Sequence, residues 1–246
     1  MRKLVPTFIP HRYRNAARVV VFGVLSVLFV GSRYECPVCG RGSRGWVSLG
    51  FPNLVCPHCA AFERQRLLLL YLRNELEIAT RPLTMLHFAP ERCLMRSFER
   101  FPNLTYIGGD LDPPRGAVKL DITNIELGSD TVDVVICSHV LEHVSEDAQA
   151  MREMRRVLRP GGRALIMGPV DYDRPQTYED PTIINPRARV AAFGQSDHVR
   201  LYGADFDQRL RAAGFEVDAN PYAEQLPSDD VVRHGLDPHE IIYVCT

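Results

Sequence analysis

At 246 residues the chain has room for one medium-sized domain and an appendage, and 46% hydrophobic with 24% charged residues is the balance of an ordinary globular protein, which excludes disordered, collagen-like and low-complexity classes. The net charge of -1 conceals an asymmetry: residues 1–82 carry 12 Arg/Lys against 4 Asp/Glu, the remainder 17 against 26. The basic first third suits an anionic partner, a membrane surface or nucleic acid, or is a solvated face. Of seven cysteines, four form two Cys-x-x-Cys pairs and three stand alone, which argues against a disulfide framework and for metal in a reducing, cytoplasmic setting.

In chain order, residues 1–35 come first. A basic start (Arg2, Lys3, Arg12, Arg14, Arg18) leads into the apolar run Val19–Val30. Twelve such residues fall short of the roughly 20 that span a bilayer. Three readings stay open: a helix packed on the domain, an interfacial membrane anchor through residues 1–31, or a cleaved signal.

Residues 36–80 form the second segment. Cys36-Pro-Val-Cys39-Gly and Cys56-Pro-His-Cys59 are 16 residues apart. Two such turns present four thiolates, the tetrahedral set of a structural zinc, and leave no open position for catalysis. The pair resembles the knuckles of zinc ribbons and rubredoxins; a redox-active dithiol is the alternative. The module either staples a segment too small to build its own core, or also carries Arg41, Arg44 and Trp46 towards a substrate. The next segment, Ala60–Leu76, reads as a helix whose leucines 67–70 are buried core.

From residue 81 to 246, short apolar runs alternate with amphipathic segments: Leu83–Phe88, Leu104–Gly109, Ala117–Leu120, Val132–Cys137 and Arg163–Met167. That alternation specifies an α/β domain with a parallel, doubly wound sheet. Ligands of such sheets bind beyond the carboxyl ends of the strands, which here carry His87, Asp110, Asp121, Ser138 and His139. Arg159-Pro-Gly-Gly162 reads as a helix stop and turn. Residues 168–203 are polar and Pro-rich and read as an irregular specificity loop. A helix over Ala204–Ala213 and strands at Phe215–Val217 and Ile241–Cys245 complete the chain.

The order of Gly109-Asp110-Leu111-Asp112, Leu120-Asp121-Ile122, the run Val132–Val144, the run Met151–Gly162 and Leu210–Val217 resembles class I S-adenosylmethionine-dependent methyltransferases. The resemblance implies a mostly parallel, seven-stranded Rossmann-like sheet closed by an antiparallel last strand. It implies Asp110 on the ribose hydroxyls, Asp121 on the adenine amine, Ile122 against the ring, and Ser138 and His139 nearest the sulfonium. The chain departs from the family after strand one, where His87-Phe-Ala-Pro-Glu91 replaces a glycine-rich turn. Ala89 stands at the first glycine, and His87 and Glu91 are the candidates for holding the methionine half, with a structural role for His87 as the alternative. Glu142 and His143 read as helix and packing residues.

For the reaction, His198 is the expected general base, oriented by Asp197, with Arg200, Tyr202, Glu179 and Asp180 orienting the acceptor and His139 a second candidate. The acidic catalytic half favours O- or N-methylation of a polar small molecule, sugar or glycan intermediate. The basic first third keeps open a zinc-bearing RNA methyltransferase, as in certain ribosomal RNA guanine methyltransferases. A non-catalytic zinc- and nucleotide-binding module is the third reading.

Overall fold

The computed structural model describes residues 11–48 and 54–246, of which 11–19 in backbone only. The chain divides into two units. A knuckle unit takes Met1–Ala79, Glu91–Phe101 and Pro221–Glu240, and a sheet unit takes Thr80–Pro90, Pro102–Asn220 and Ile241–Thr246. Two segments that follow residue 80 in the sequence thus belong to the first unit.

In the knuckle unit, helix α1 spans His11–Leu28. Val20, Val24, Val27 and Leu28 on it are more than half exposed, so the packed-helix expectation holds for neither the apolar positions at 20 and 24 nor those at its end. Among the described residues no helix is long and apolar enough to cross a membrane. Residues 1–10, with Arg2 and Lys3, lie outside the described residues. Helix α2 (Glu63–Asn74) buries Leu67, Leu68, Leu69, Tyr71 and Leu72, as its apolar pattern requires. Helix α3 (Arg92–Phe98) and helix α7 (Ser228–His234) complete this unit.

The sheet unit holds seven strands: β1 (Leu83–Phe88), β2 (Leu104–Asp110), β3 (Val118–Lys119), β4 (Val132–Ser138), β5 (Leu158–Met167), β6 (Val217–Asn220) and β7 (Ile242–Cys245). Their order is β6-β7-β5-β4-β1-β2-β3, with β7 antiparallel to β5 and to β6 and the rest parallel. Strand β5 begins at Leu158 and includes the Arg159–Gly162 stretch, so the expected cap and turn there is a corner of the strand, with Gly161 at φ 79°. Alternate residues Leu86, Phe88, Val135, Cys137, Ala164, Ile166, Tyr243 and Cys245 face Ala150, Met151, Met154 and Val157 of α4 (Asp147–Val157) and Phe206 and Leu210 of α6 (Phe206–Ala212). The intervening residues Met85, Val134, Ile136 and Leu165 are equally buried, as in parallel sheets generally.

The stretch expected to be an irregular loop is built. Arg200–Gly203 is a strand paired parallel with Val170–Asp171 and antiparallel with Tyr178–Glu179. Helix α5 (Pro186–Phe193) lies between, capped by Asn185, whose side chain accepts the Arg187 and Ala188 amides.

Candidate functional sites

The sheet register sets the rim of the methyltransferase-like site. Phe88 is level with Gly109 on one side and Cys137 on the other, so the chain leaves β1, β2 and β4 at one height, at Ala89, Asp110 and Ser138. Ala89 has φ 46° and its amide donates to Gly109 O (2.9 Å). The backbone therefore takes the left-handed turn that glycine makes in relatives, although a methyl group costs it about 1 kcal/mol or more there. Gly109 is needed for contact: a Cβ on it would lie 3.1 Å from that of Leu120.

Asp110 ends β2 half-buried, and its Oδ1 accepts the Asp112 amide (2.9 Å). Ser138 is 6% exposed and its buried Oγ has no hydrogen-bond partner, an unmet group at the rim. Asp121 is exposed, with Oδ1 accepting from Thr123 N and Oγ1, and Ile122 is buried in the core beside it. An acceptor for a diol, an unmet hydroxyl and an apolar wall at one end of the sheet fit S-adenosylmethionine. His87 departs from its expected role. It is fully buried and its Nδ1 is 3.0 Å from Tyr106 Oη, which favours the structural alternative. Glu91 belongs to the knuckle unit, where it starts α3 and accepts from Gln65 Nε2 (2.9 Å).

Beyond β4, the chain enters a single 3-10 turn, Leu141–His143, not the expected longer helix. His139 precedes it at φ 56°, a strained conformation for a side-chain-bearing residue. Its Nδ1 lies 3.4 Å from Glu142 Oε1. Glu142 is 1% exposed. Burial works to raise its carboxyl, but the His139 hydrogen bond and charge outweigh this and hold it below the usual carboxylate range.

His198, the expected base, is 2% exposed, and burial pushes its imidazole down. Its orienting partner is the Phe193 carbonyl (3.1 Å to Nδ1), while Asp197 lies instead by His143, Oδ2 to Nδ1 3.8 Å. Arg200 and Tyr202 are not free to orient an acceptor. Arg200 donates to the carbonyls of Leu141, Val144 and Ser145 and to Glu179, and Tyr202 is fully buried with its hydroxyl on Asp147 (2.8 Å). Arg209 closes the network on Asp147 (2.9 Å). Asp180 is half-buried and accepts from Thr182. Arg200 therefore holds the turn that carries Glu142 and His143, a role without a sequence signal.

In the knuckle unit the four cysteine sulfurs all lie within 4.8 Å of one another. Cys36–Cys59 is 3.7 Å and Cys39–Cys56 3.8 Å. A tetrahedron with metal–sulfur bonds of about 2.3 Å has edges of about 3.8 Å, so the set fits a zinc knuckle. The two halves repeat each other. The Gly40 and Ala60 amides donate to Cys36 and Cys56 O, and the Cys36 and Cys56 amides donate to Arg41 and Ala61 O. Gly40 and Ala60 both have positive φ, 71° and 64°. Trp46 is not offered to a substrate: the Arg66 guanidinium stacks 4.2 Å from its ring. Fully buried Arg66 donates to the carbonyls of Leu54, Ala61, His234 and Gly235.

Residues 99–166 match the family described as a methyltransferase domain. A demethylmenaquinone methyltransferase of Mycobacterium bovis is 46% identical over 46 residues, 19% of this chain and 20% of that one. A probable S-adenosylmethionine-dependent methyltransferase of Mycolicibacterium smegmatis is 33% identical over 99 residues, 40% of this chain and 34% of that one. An uncharacterised 37.1 kDa protein in transposon Tn4556 of Streptomyces fradiae is 49% identical over 53 residues, 22% and 15% of the two chains. The matched stretches thus cover about a third or less of these relatives. Among solved structures, the 1,6-didemethyltoxoflavin-N1-methyltransferase of Burkholderia thailandensis aligns over 98% of this chain and 91% of its own, at 15% identity and a TM-score of 0.49. By its matched segment the chain carries a methyltransferase domain over residues 99–166, set in a seven-stranded, mostly parallel sheet.

Proposed function

We propose that this protein transfers a methyl group from S-adenosylmethionine to an oxygen or nitrogen of a polar small molecule, sugar or glycan intermediate, and that zinc holds its four cysteines. The observation that carries the first part is the shared rim: Asp110 and the unmet Ser138 hydroxyl at the level ends of neighbouring strands. When bound, the cofactor supplies a methyl group activated by its sulfonium. Asp110 accepts from the ribose, Ile122 packs on the adenine beside Asp121, and Ser138 satisfies its hydroxyl on the ligand.

His139 takes the role first expected of His198. It is partly exposed, Glu142 fixes its Nδ1, and its Nε2 has no hydrogen-bond partner. A carboxylate on Nδ1 keeps the proton there and leaves Nε2 to receive one from an acceptor hydroxyl or amine. The rest of the rate comes from positioning.

Two measurements test the reading. Calorimetry on the full chain should find S-adenosylmethionine binding that weakens at least about tenfold in Asp110→Ala, which removes charge-assisted hydrogen bonds. Absence of binding by the wild type would end the proposal. Radiolabelled methyl offered with a metabolite extract or with total RNA should label the extract; label in RNA alone would assign the acceptor to nucleic acid.

A further inference from the structure

We infer that the sheet unit contains a second cation site, formed by Glu142, His143 and His198. One ligand atom from each lies within 4.8 Å of the others. The three residues come from two places far apart in sequence, the turn after β4 and the end of the segment after α5. Arg200 fastens that turn through the Leu141 and Val144 carbonyls, and the Val199 amide donates to Glu142 O (2.9 Å). The arrangement is therefore fixed by backbone bonds on both sides.

The protonation pattern says what the cluster lacks. His198 Nδ1 faces the Phe193 carbonyl, which only accepts, so that nitrogen carries the proton. Nε2 is then a bare lone pair. It is buried with no hydrogen-bond partner, as is Glu142 Oε2. His143 Nδ1 lies 3.3 Å from the Asp197 carbonyl and 3.8 Å from its Oδ2. The buried His198 Nε2 and Glu142 Oε2 thus stand without a donor in a cluster that His143 completes. Such a group repels itself unless a cation sits at its centre. A backbone carbonyl on His198 Nδ1, opposite its free Nε2, is the support that metal-bound imidazoles receive.

Two histidines and one carboxylate suit a first-row divalent cation such as Zn²⁺, Mn²⁺ or Fe²⁺ with open positions. Ligand bonds of about 2.0–2.2 Å draw the corners inward, and the exposed His143 is free to make that adjustment. Gly168, at the end of β5, leaves space beside Glu142 Oε2: a Cβ there would still be 3.8 Å away. The open positions would take oxygen atoms of the acceptor, a role that rests on the methyl-transfer reading. The cation site itself does not.

The test uses the full chain with its knuckle metal retained and Mn²⁺ alone as the probe, followed by electron paramagnetic resonance. One Mn²⁺ per chain should bind beyond the knuckle metal. Glu142→Gln, of the same shape, and His143→Ala, at an exposed position, should each weaken it at least tenfold without loss of knuckle metal. If Glu142→Gln fails to fold, His143→Ala decides. A wild type that takes up no Mn²⁺, or variants that bind as well as the wild type, would overturn the site whatever the outcome with S-adenosylmethionine.

Discussion

The two units are held together by different means. In the sheet unit, stability is spread over a continuous apolar core from β1 to β7, α4 and α6, so no single contact decides it. In the knuckle unit the apolar core on α2 is joined by bonding concentrated at two points: four sulfurs close together, and one guanidinium shared among four carbonyls. Concentrated bonding adds to the burial in a small unit, and leaves it exposed to single changes. Distributed burial tolerates a local fault, as at Ala89, where the methyl group is carried in a left-handed turn.

Removal of the metal should separate the units most clearly. Structural zinc contributes about 10–16 kcal/mol in small zinc modules, so chelation, or Cys36→Ser, should abolish the order of the two cysteine turns, residues 36–41 and 56–61. The single tryptophan reports this, because Trp46 stacks on Arg66. Unchanged Trp46 fluorescence after complete metal loss would contradict a metal-dependent knuckle. Next, Arg66→Met strands four carbonyls, two of them in buried hydrogen bonds, and should cost about 3–5 kcal/mol in denaturant unfolding read at Trp46. A loss below about 1 kcal/mol would show that those carbonyls find other partners.

Changes in the sheet unit should be smaller. Tyr202→Phe removes one hydrogen bond to Asp147, which keeps Arg209, and should cost about 1–2 kcal/mol by far-ultraviolet circular dichroism. A loss as large as that for Arg66→Met would erase the contrast. At the lower end, Ala89→Gly relieves the left-handed strain but frees the unfolded chain. The two effects oppose, and the net change should stay within about 1 kcal/mol.

What the sequence revealed follows the same division between local and distant. The strands and their order are written in short apolar runs, and the cysteines in a spacing that needs no long-range information. Asp110 and Ser138 are legible because a strand's end is visible in the chain. Arg66 is not, since nothing near it announces that two of its acceptors are 168 and 169 residues away. The same holds for Glu142 and His198, which read as a packing residue and a loop base until the fold brings them together. Arg200 and Tyr202 misled for a related reason: polar side chains in a Pro-rich stretch look solvent-facing, and only pairing with Val170–Asp171 and Tyr178–Glu179 turns them inward.

The reach of Arg66 has a consequence for the order of events at the ribosome. His234 and Gly235 supply two of its carbonyls, so the knuckle unit cannot complete its hydrogen bonding when its cysteines first emerge. At about 5–20 residues per second, roughly 8–34 s of synthesis separate the two partners. Throughout that interval the guanidinium is without those two acceptors. The knuckle segment is thus made well before α7 yet matures only after it, and a nascent chain halted before α7 would hold its metal ligands but not its finished unit.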